Sequence, residues 1–119
     1  MTEAYPQQGE VYLVRALRAI GDTKKRPVAV VSINSRNELS RTVLIVPFTS
    51  DLSGGGETPT RILIPAGVGG LESDSLAVCE QILAVQKTYL EQGPYGEISA
   101  DFLGRIQRGV QVAIGIYEL

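Results

Sequence analysis

Short apolar runs, separated by glycine, proline and polar turn residues, recur along most of the chain. Thr60–Ile64 alternates polar and apolar residues, which is typical of a strand with one face in solvent. Pro27–Ser32 is nearly continuous in apolar residues and predicts a strand buried on both faces. Lys87–Gln92 resembles a short helix that Gly93-Pro94 would close. The pattern predicts five or six short strands, over Glu10–Val14, Pro27–Ser32, Thr42–Phe48, Thr60–Ile64, Ser75–Leu83 and, as a short final strand, Tyr95–Ile98.

The last part of the chain changes to helical periodicity. Ser99 is the expected N-cap of a helix that runs to about Ile116. Gly104 and Gly109 each weaken this helix by about 1 kcal/mol relative to alanine, so packing must hold it in place. The elements together predict a mainly β fold, a small curved antiparallel sheet or barrel with one terminal helix. The apolar residues of the helix recur at spacings of three and four, at Phe102, Leu103, Ile106, Val110 and Ala113.

The composition fits a single domain over residues 1–119, with 44% apolar and 20% charged residues. Histidine is absent, which excludes Ser-His-Asp and Cys-His triads, paired-histidine ribonuclease chemistry and histidine-ligated metal sites. Cys79 is the only cysteine, and we interpret it as a small buried hydrophobic residue. The first ten residues lack the pattern of a signal peptide, and every apolar run is far shorter than the roughly 20 residues that cross a bilayer. We therefore expect a soluble, cytoplasmic protein without a membrane partner.

The net charge of −2 argues against a globally basic nucleic-acid-binding protein. The charges are nevertheless unevenly distributed. Five basic residues fall in the loop that follows the first predicted strand, at Arg15, Arg18, Lys24, Lys25 and Arg26. A local positive patch can therefore form on an acidic protein.

Three polar features can carry chemistry, and each also has a purely structural interpretation. The Lys24-Lys25-Arg26 run is either a solvated loop or an anion site in which a guanidinium pairs with a phosphate. Thr49-Ser50-Asp51 is either a turn that caps its own backbone or a strand end that presents a hydroxyl to a substrate oxygen. Glu80 and Gln81 lie inside a predicted strand, so they point to opposite faces. Either the strand is half-exposed or one of them faces a solvated groove.

The order of the segments is more specific than any one of them. Gly9–Tyr12, Arg26–Ser32, Val43–Ser50, Asp74–Ile82 and Gly96–Ser99 follow one another with a spacing that resembles the MazF/PemK family of toxin endoribonucleases. The resemblance covers about residues 9–116. It implies an SH3-like β-barrel with a C-terminal α-helix, a homodimer, and neutralisation by a cognate antitoxin protein. It also implies metal-independent, sequence-selective cleavage of single-stranded RNA without a cofactor.

Matched segment by segment, the resemblance makes Arg26 and Thr49 the catalytic pair. Ser50, Glu80 and Gln81 become supporting or RNA-contacting residues. In this chemistry the RNA 2′-hydroxyl attacks the adjacent phosphorus and leaves a 2′,3′-cyclic phosphate and a free 5′-hydroxyl. An arginine can hold two phosphoryl oxygens but does not deprotonate. A general base, if one is needed, is therefore a carboxylate such as Glu80, or water.

Contacts to the rest of the RNA are expected from the basic loop and from aromatic residues. Single-stranded RNA exposes its base edges, which an A-form duplex hides. Tyr12 or Phe48 would stack on bases if exposed at the surface. The backbone would follow the basic residues Lys24, Lys25, Arg15 and Arg18.

Two other functions stay open at this point. One is a non-catalytic interaction module on the same barrel, similar to the gyrase-poisoning CcdB toxins. The pI of about 5.1 favours it, whereas the positions of Arg26 and Thr49 at strand ends disfavour it. The other is an inactive nucleic-acid-binding barrel, for which five tyrosines, two phenylalanines and no tryptophan make a sparse stacking platform.

Overall fold

The computed structural model describes residues 5–15 and 17–116 and consists mainly of antiparallel strands. Residues 1–4, 16 and 117–119, which the expected domain includes, lie outside the described residues. The short helix α1 spans Asn34–Leu39, and the long helix α2 spans Ala100–Ala113. The strands are β1 (Glu10–Val14), β2 (Arg26–Val30), β3 (Thr42–Thr49), β4 (Arg61–Ile64), β5 (Ser75–Val78), β6 (Leu83–Gln86) and β7 (Leu90–Glu97).

The seven described strands form one antiparallel sheet. Six of them follow the order β4-β5-β3-β2-β1-β7, and β6 lies off this path and pairs with β3. The eight-residue strand β3 pairs with β2 along one edge, and its other edge is shared by β6 and β5. Within the described residues no pairing joins β4 to β7, so the sheet remains open. The predicted class, mainly β with a C-terminal helix, is confirmed, although the sheet is not a closed barrel.

Two apolar clusters form the core, and β2 contributes to both of them. Ala29 packs with residues of β1, β3, β4, β5 and α2 in the first cluster. Val28 and Val30 pack with Val14, Ile45 and other residues in the second cluster. Successive strand residues point to opposite faces, so β2 can serve both clusters only because all three residues are apolar. The prediction of a strand buried on both faces is confirmed, and the basic loop preceding β2 is thereby attached to a rigid element.

The predicted strand Ser75–Leu83 is confirmed only over Ser75–Val78, because the chain turns after Val78. Pairing of β5 with β4 ends at Val78, and a 3₁₀ turn follows over Cys79–Gln81. The turn leaves Cys79 fully buried and moves the next residue, Glu80, out into solvent. Burial raises the pKa of the Cys79 thiol to about 12, in agreement with its interpretation as a buried hydrophobic residue.

The predicted helix over Lys87–Gln92 is also wrong. Only Lys87–Tyr89 forms a single 3₁₀ turn, and from Leu90 onwards the chain pairs with β1 as the edge strand β7. The Gly93-Pro94 step lies inside this strand and has a cis peptide bond. An edge strand tolerates proline because one row of its backbone groups has no ladder partner.

Helix α2 begins as expected and ends earlier than expected. The Ser99 hydroxyl caps it by accepting a hydrogen bond of 3.5 Å from the backbone N–H of Phe102. The helix ends at Ala113 rather than at Ile116, and Gly115 follows with a positive φ of 86°. Ile106 is fully buried against the sheet. No described helix is long and apolar enough to span a membrane.

Candidate active site

The pairing of β2 with β3 brings Arg26 and Thr49 together. Val28 pairs with Pro47 in the antiparallel ladder. The ladder ends at this pair, and two residues beyond it Arg26 begins β2 and Thr49 ends β3, so both lie at the same end of two neighbouring strands. The Arg26 guanidinium also reaches over β3, where its Nη1 donates to the Phe48 carbonyl at 3.4 Å. Two residues that are distant in sequence thus meet at one edge of a rigid sheet.

Both side chains line an open cleft of about 730 Å³. One wall is the basic segment Lys24–Arg26, and a second wall is the end of β3 with Ser50 and Asp51. The lining also includes the segment between β4 and β5, with Glu72, and Tyr95 of β7. The cleft is therefore lined by both cations and carboxylates.

Arg26 is oriented by a carboxylate that the sequence analysis did not single out. Its Nη2 donates to Oδ1 of Asp22 at 2.5 Å. The Asp22 side chain is only 4% exposed, whereas that of Arg26 is 27% exposed. The four-residue spacing between Asp22 and Arg26 gave no signal for the pair, because Asp22 lies on a loop and Arg26 on a strand rather than on one helix.

Thr49 lies half-buried at the end of β3, and the segment after it is ordered by local hydrogen bonds. The Thr49 hydroxyl accepts a hydrogen bond of 3.2 Å from the backbone N–H of Asp51. The Asp51 carboxylate accepts from the hydroxyl of Ser53 at 2.6 Å and from its backbone N–H at 3.0 Å. These two bonds, the side-chain one first, lower the pKa of Asp51. Ser50, between Thr49 and Asp51, is exposed to the cleft.

Much of the basic loop is held by ion pairs. Lys25 Nζ and Arg15 Nε contact the carboxylate of Glu91 at 3.0 and 3.5 Å. The Arg15 guanidinium also lies 4.2 Å from the ring centroid of Tyr89. Lys24 is exposed beside the cleft and forms no ion pair with any described residue. The positive patch on the cleft is therefore smaller than the count of basic residues indicates.

Arg18, Glu80 and Gln81 are not among the described residues that line the cleft. Arg18 is exposed on a 3₁₀ turn within the basic loop. Glu80 accepts hydrogen bonds from the Thr60 hydroxyl at 2.8 Å and from Arg61 Nε at 3.3 Å. The bond from Arg61, followed by that from Thr60, lowers the pKa of Glu80. The expectation of a strand that directs one of Glu80 and Gln81 into a groove does not hold, because the chain turns there.

Replacing Glu80 with glutamine should lower the melting temperature at neutral pH but not in acid. The folded-state pKa of Glu80 lies below the ordinary value of 4.5. Its ion pair with Arg61 therefore stabilises the fold above about pH 4.5 and is lost as the pH falls through the lowered pKa. Thermal unfolding between pH 3 and 7 measures the difference from wild type. Glu38→Gln, at an exposed position of α1, is the control, and a difference that persists at pH 3 would contradict the prediction.

The aromatic residues of the cleft also differ from expectation. Phe48 is 1% exposed and packs in the core, so it cannot stack on a base. Tyr12 is half-buried, and its hydroxyl donates to Glu10 at 3.0 Å. Tyr95 is 51% exposed on the wall of the cleft. The sequence analysis placed Tyr95 in a short final strand but did not indicate that this strand pairs with β1 and brings Tyr95 to the cleft.

Two relatives named endoribonucleases align with almost the whole chain. The endoribonuclease EndoA of Bacillus subtilis is 23% identical over 114 residues, which cover 94% of this chain and 97% of EndoA. The endoribonuclease MazF of Staphylococcus saprophyticus is 23% identical over 115 residues, which cover 95% of this chain and 94% of that protein. Both alignments extend over nearly the whole of each protein.

Solved structures show the same fold. A mycobacterial endoribonuclease in complex with its cognate antitoxin superposes with a TM-score of 0.76 at 21% identity, covering 96% of this chain and 99% of its own. MazF from Deinococcus radiodurans superposes with a TM-score of 0.77 at 17% identity, covering 95% and 99%. The family model described as PemK-like, MazF-like toxin of type II toxin-antitoxin system matches residues 7–114. Because that match takes in every strand and α2, the chain belongs to the PemK-like and MazF-like toxins of type II toxin-antitoxin systems.

Proposed function

We propose that this toxin is an endoribonuclease that cleaves single-stranded RNA, with Arg26 and Thr49 as its catalytic pair. One observation carries the proposal: Arg26 and Thr49, on the neighbouring strands β2 and β3, line the same cleft. Relatives of similar length are named endoribonucleases, which supports the same activity here. The cleft accepts an extended single-stranded RNA, in which each phosphate and each base is accessible to protein side chains.

Arg26 binds the nonbridging oxygens of the scissile phosphate. Two of its N–H groups are directed to Asp22 and Phe48, and the remaining ones are available to phosphoryl oxygens. Its positive charge stabilises the negative charge that builds on those oxygens as the 2′-hydroxyl attacks phosphorus. The attack forms the 2′,3′-cyclic phosphate and releases the 5′-oxygen, which takes up a proton. Arg26 thus supplies charge and orientation but does not accept the proton.

Thr49 provides the second hydrogen bond to the reacting group. Its oxygen is occupied by the Asp51 N–H, so its own hydrogen is directed to an acceptor such as a phosphoryl oxygen. The proton of the 2′-hydroxyl passes to water, because Glu80 is held by Arg61 outside the cleft. The lowered pKa of Asp51 makes that carboxylate a weak base as well. We therefore expect metal-independent cleavage at a modest rate.

The rest of the cleft binds the RNA on either side of the cut. Lys24, Lys25 and Ser50 face the backbone, and the ring of Tyr95 stacks on a base. A homodimer lengthens this track by joining two clefts. A cognate antitoxin inhibits the toxin in the cytoplasm, a partnership supported by solved relatives that hold MazE or a cognate antitoxin.

Primer extension on a long RNA tests the proposed function. The purified protein is incubated with the RNA in the presence and absence of EDTA. We expect discrete stops at a recurring short sequence under both conditions, and 2′,3′-cyclic phosphate at the new 3′ ends. RNA that stays intact in every sample would reject the activity and favour a non-catalytic interaction toxin.

Thr49→Val removes the hydroxyl while keeping the shape of the side chain. We expect the single-turnover cleavage rate to fall about 100-fold, the usual effect of losing one hydrogen-bond donor to the transition state. Thr42→Val is the matched control, because Thr42 lies at the opposite end of β3 and accepts from Arg36 at 3.0 Å. Equal cleavage rates for the two variants would remove Thr49 from the catalytic pair.

A further inference from the structure

Among the acidic residues in the ion pairs Arg15–Glu91, Asp22–Arg26, Arg61–Glu80 and Asp101–Arg105, Asp22 is by far the most deeply buried. Its side chain is 4% exposed, whereas those of Glu91, Glu80 and Asp101 are 29%, 44% and 73% exposed. An exposed ion pair contributes little to stability, but a buried carboxylate must be paired to be tolerated at all. Unlike the surface ion pairs of this protein, the Asp22–Arg26 pair therefore compensates the burial of a carboxylate.

The loop that carries Asp22 is anchored so that the carboxylate points inwards. A 3₁₀ turn over Arg18–Ile20 ends at Gly21, whose φ of 83° turns the chain back. The Asp22 backbone N–H then donates to the carbonyl of Leu17 at 3.1 Å. Leu17 is buried in the second core cluster. Through this hydrogen bond to Leu17, the backbone of Asp22 is attached to the core and is not part of a mobile surface loop.

Only one of the two oxygens of the Asp22 carboxylate accepts a hydrogen bond from the described residues. Oδ1 accepts from Arg26, while Oδ2 is buried and has no hydrogen-bond partner among residues 5–15 and 17–116. A buried acceptor without a partner destabilises a fold by about 1–3 kcal/mol. A loop selected for stability alone would be better served by a side chain without this second oxygen.

We propose that Asp22 is a positioning residue that orients the guanidinium of Arg26 for the scissile phosphate. This inference rests on the proposed RNA cleavage at the same cleft. Oδ1 holds one edge of the guanidinium, so the remaining N–H groups face the cleft. When a phosphate binds, Oδ2 accepts a second guanidinium N–H and the single contact becomes bidentate. Arg26 is then fixed between a carboxylate on one side and the phosphate on the other.

The charge of Asp22 gives the proposal a distinctive kinetic signature. Its negative charge offsets that of Arg26, so it weakens the ground-state attraction for RNA. Its benefit lies in orientation, which acts on the rate of the chemical step. Loss of the charge should therefore slow cleavage without weakening RNA binding. A residue that only stabilises the loop would affect both quantities in the same direction when removed.

The experiment compares wild type with Asp22→Asn. Single-turnover cleavage gives the rate, and a non-cleavable RNA with a 2′-deoxy sugar at the cut gives the Kd. We expect the rate to fall at least tenfold and the Kd to stay unchanged or decrease. Asp101→Asn is the matched control, because Asp101 and Arg105 form an exposed pair at 3.3 Å with the same four-residue spacing. This control should cleave at the wild-type rate.

Asp22→Glu keeps the charge and both oxygens, so it should cleave within about threefold of wild type. A wild-type rate in Asp22→Asn, a matching loss of rate and affinity, or failure of both variants to fold would overturn the proposal.

A readout that does not depend on cleavage separates this inference from the proposed function. In side-chain ¹⁵N NMR spectra, the Nη resonances of Arg26 should be well separated in wild type and broaden or move together in Asp22→Asn, because loss of the carboxylate charge weakens the shorter of the two hydrogen bonds that restrict rotation about the Nε–Cζ bond. Wild-type protein that leaves RNA intact rejects the proposed function, whereas unchanged Arg26 resonances reject the role of Asp22.

Discussion

Arg26→Ala is expected to lower the single-turnover rate of RNA cleavage by about 1,000-fold. The substitution removes the guanidinium that is placed to pair with two oxygens of the scissile phosphate, and with it the charge that stabilises the transition state. Quantitative primer extension or a fluorescent RNA substrate measures the rate. Cleavage by Arg26→Ala at the wild-type rate would show that the site is assigned to the wrong residue.

The controls for Arg26→Ala must separate a loss of catalytic rate from a loss of folding stability. Arg26→Ala leaves the Asp22 carboxylate buried without its partner, which destabilises a fold. Arg26→Lys keeps a positive charge beside Asp22 but lacks the planar fork of a guanidinium. We expect it to melt close to wild type and still to cleave at least tenfold more slowly. Arg105→Ala, on the exposed face of α2, should match wild type in cleavage.

Gly109→Val is expected to destabilise the protein by about 2–3 kcal/mol. A Cβ at this position would lie 2.6 Å from Sγ and 3.2 Å from Cβ of Cys79. Cys79 is itself fully buried under α2, so neither side of the contact can move without disturbing the core. Urea denaturation followed by circular dichroism measures the free energy of unfolding.

Gly104→Val provides the matched comparison in the same helix. A Cβ at Gly104 would meet no atom of the described residues within 4 Å. Valine and glycine have similar helix propensities, so this variant should unfold within about 0.5 kcal/mol of wild type. Equal free energies of unfolding for Gly109→Val and Gly104→Val would contradict the close approach of α2 to Cys79 at Gly109.

The elements that sequence predicted well are those with a strong local pattern. The apolar run of β3 and the helical spacing around Ile106 each need burial on a defined face, whatever the rest of the chain does. Of β7, only the end was predicted, as the strand Tyr95–Ile98, because the rest of this exposed edge strand is held by backbone pairing with β1 and has no such pattern. The break after β5 was equally hidden, since its polar Glu80 is stabilised by Arg61, nineteen residues earlier in the chain.

The candidate site was predicted in part for the same reason. Arg26 and Thr49 could be named because Arg26 begins one recognisable apolar strand, Thr49 ends another, and the order of the segments resembles a known family. Asp22 and Tyr95 could not be named, because their place at the cleft depends on a loop turning inwards and on an edge strand. The roles of Ser50, Lys24 and Lys25 as RNA contacts remain predictions that the cleft supports by position alone.

The order of apolar runs, turns and one amphipathic helix was by itself enough to predict a mainly β fold, because burial of alternate or continuous apolar residues is a local demand on the chain. The family was indicated by the resemblance of the ordered segments from Gly9–Tyr12 to Gly96–Ser99. The tertiary structure alone decided which polar side chains share a cleft, because that depends on how the strands pair, on the inward turn of the loop that pairs Asp22 with Arg26, and on contacts between distant residues such as Arg61 and Glu80.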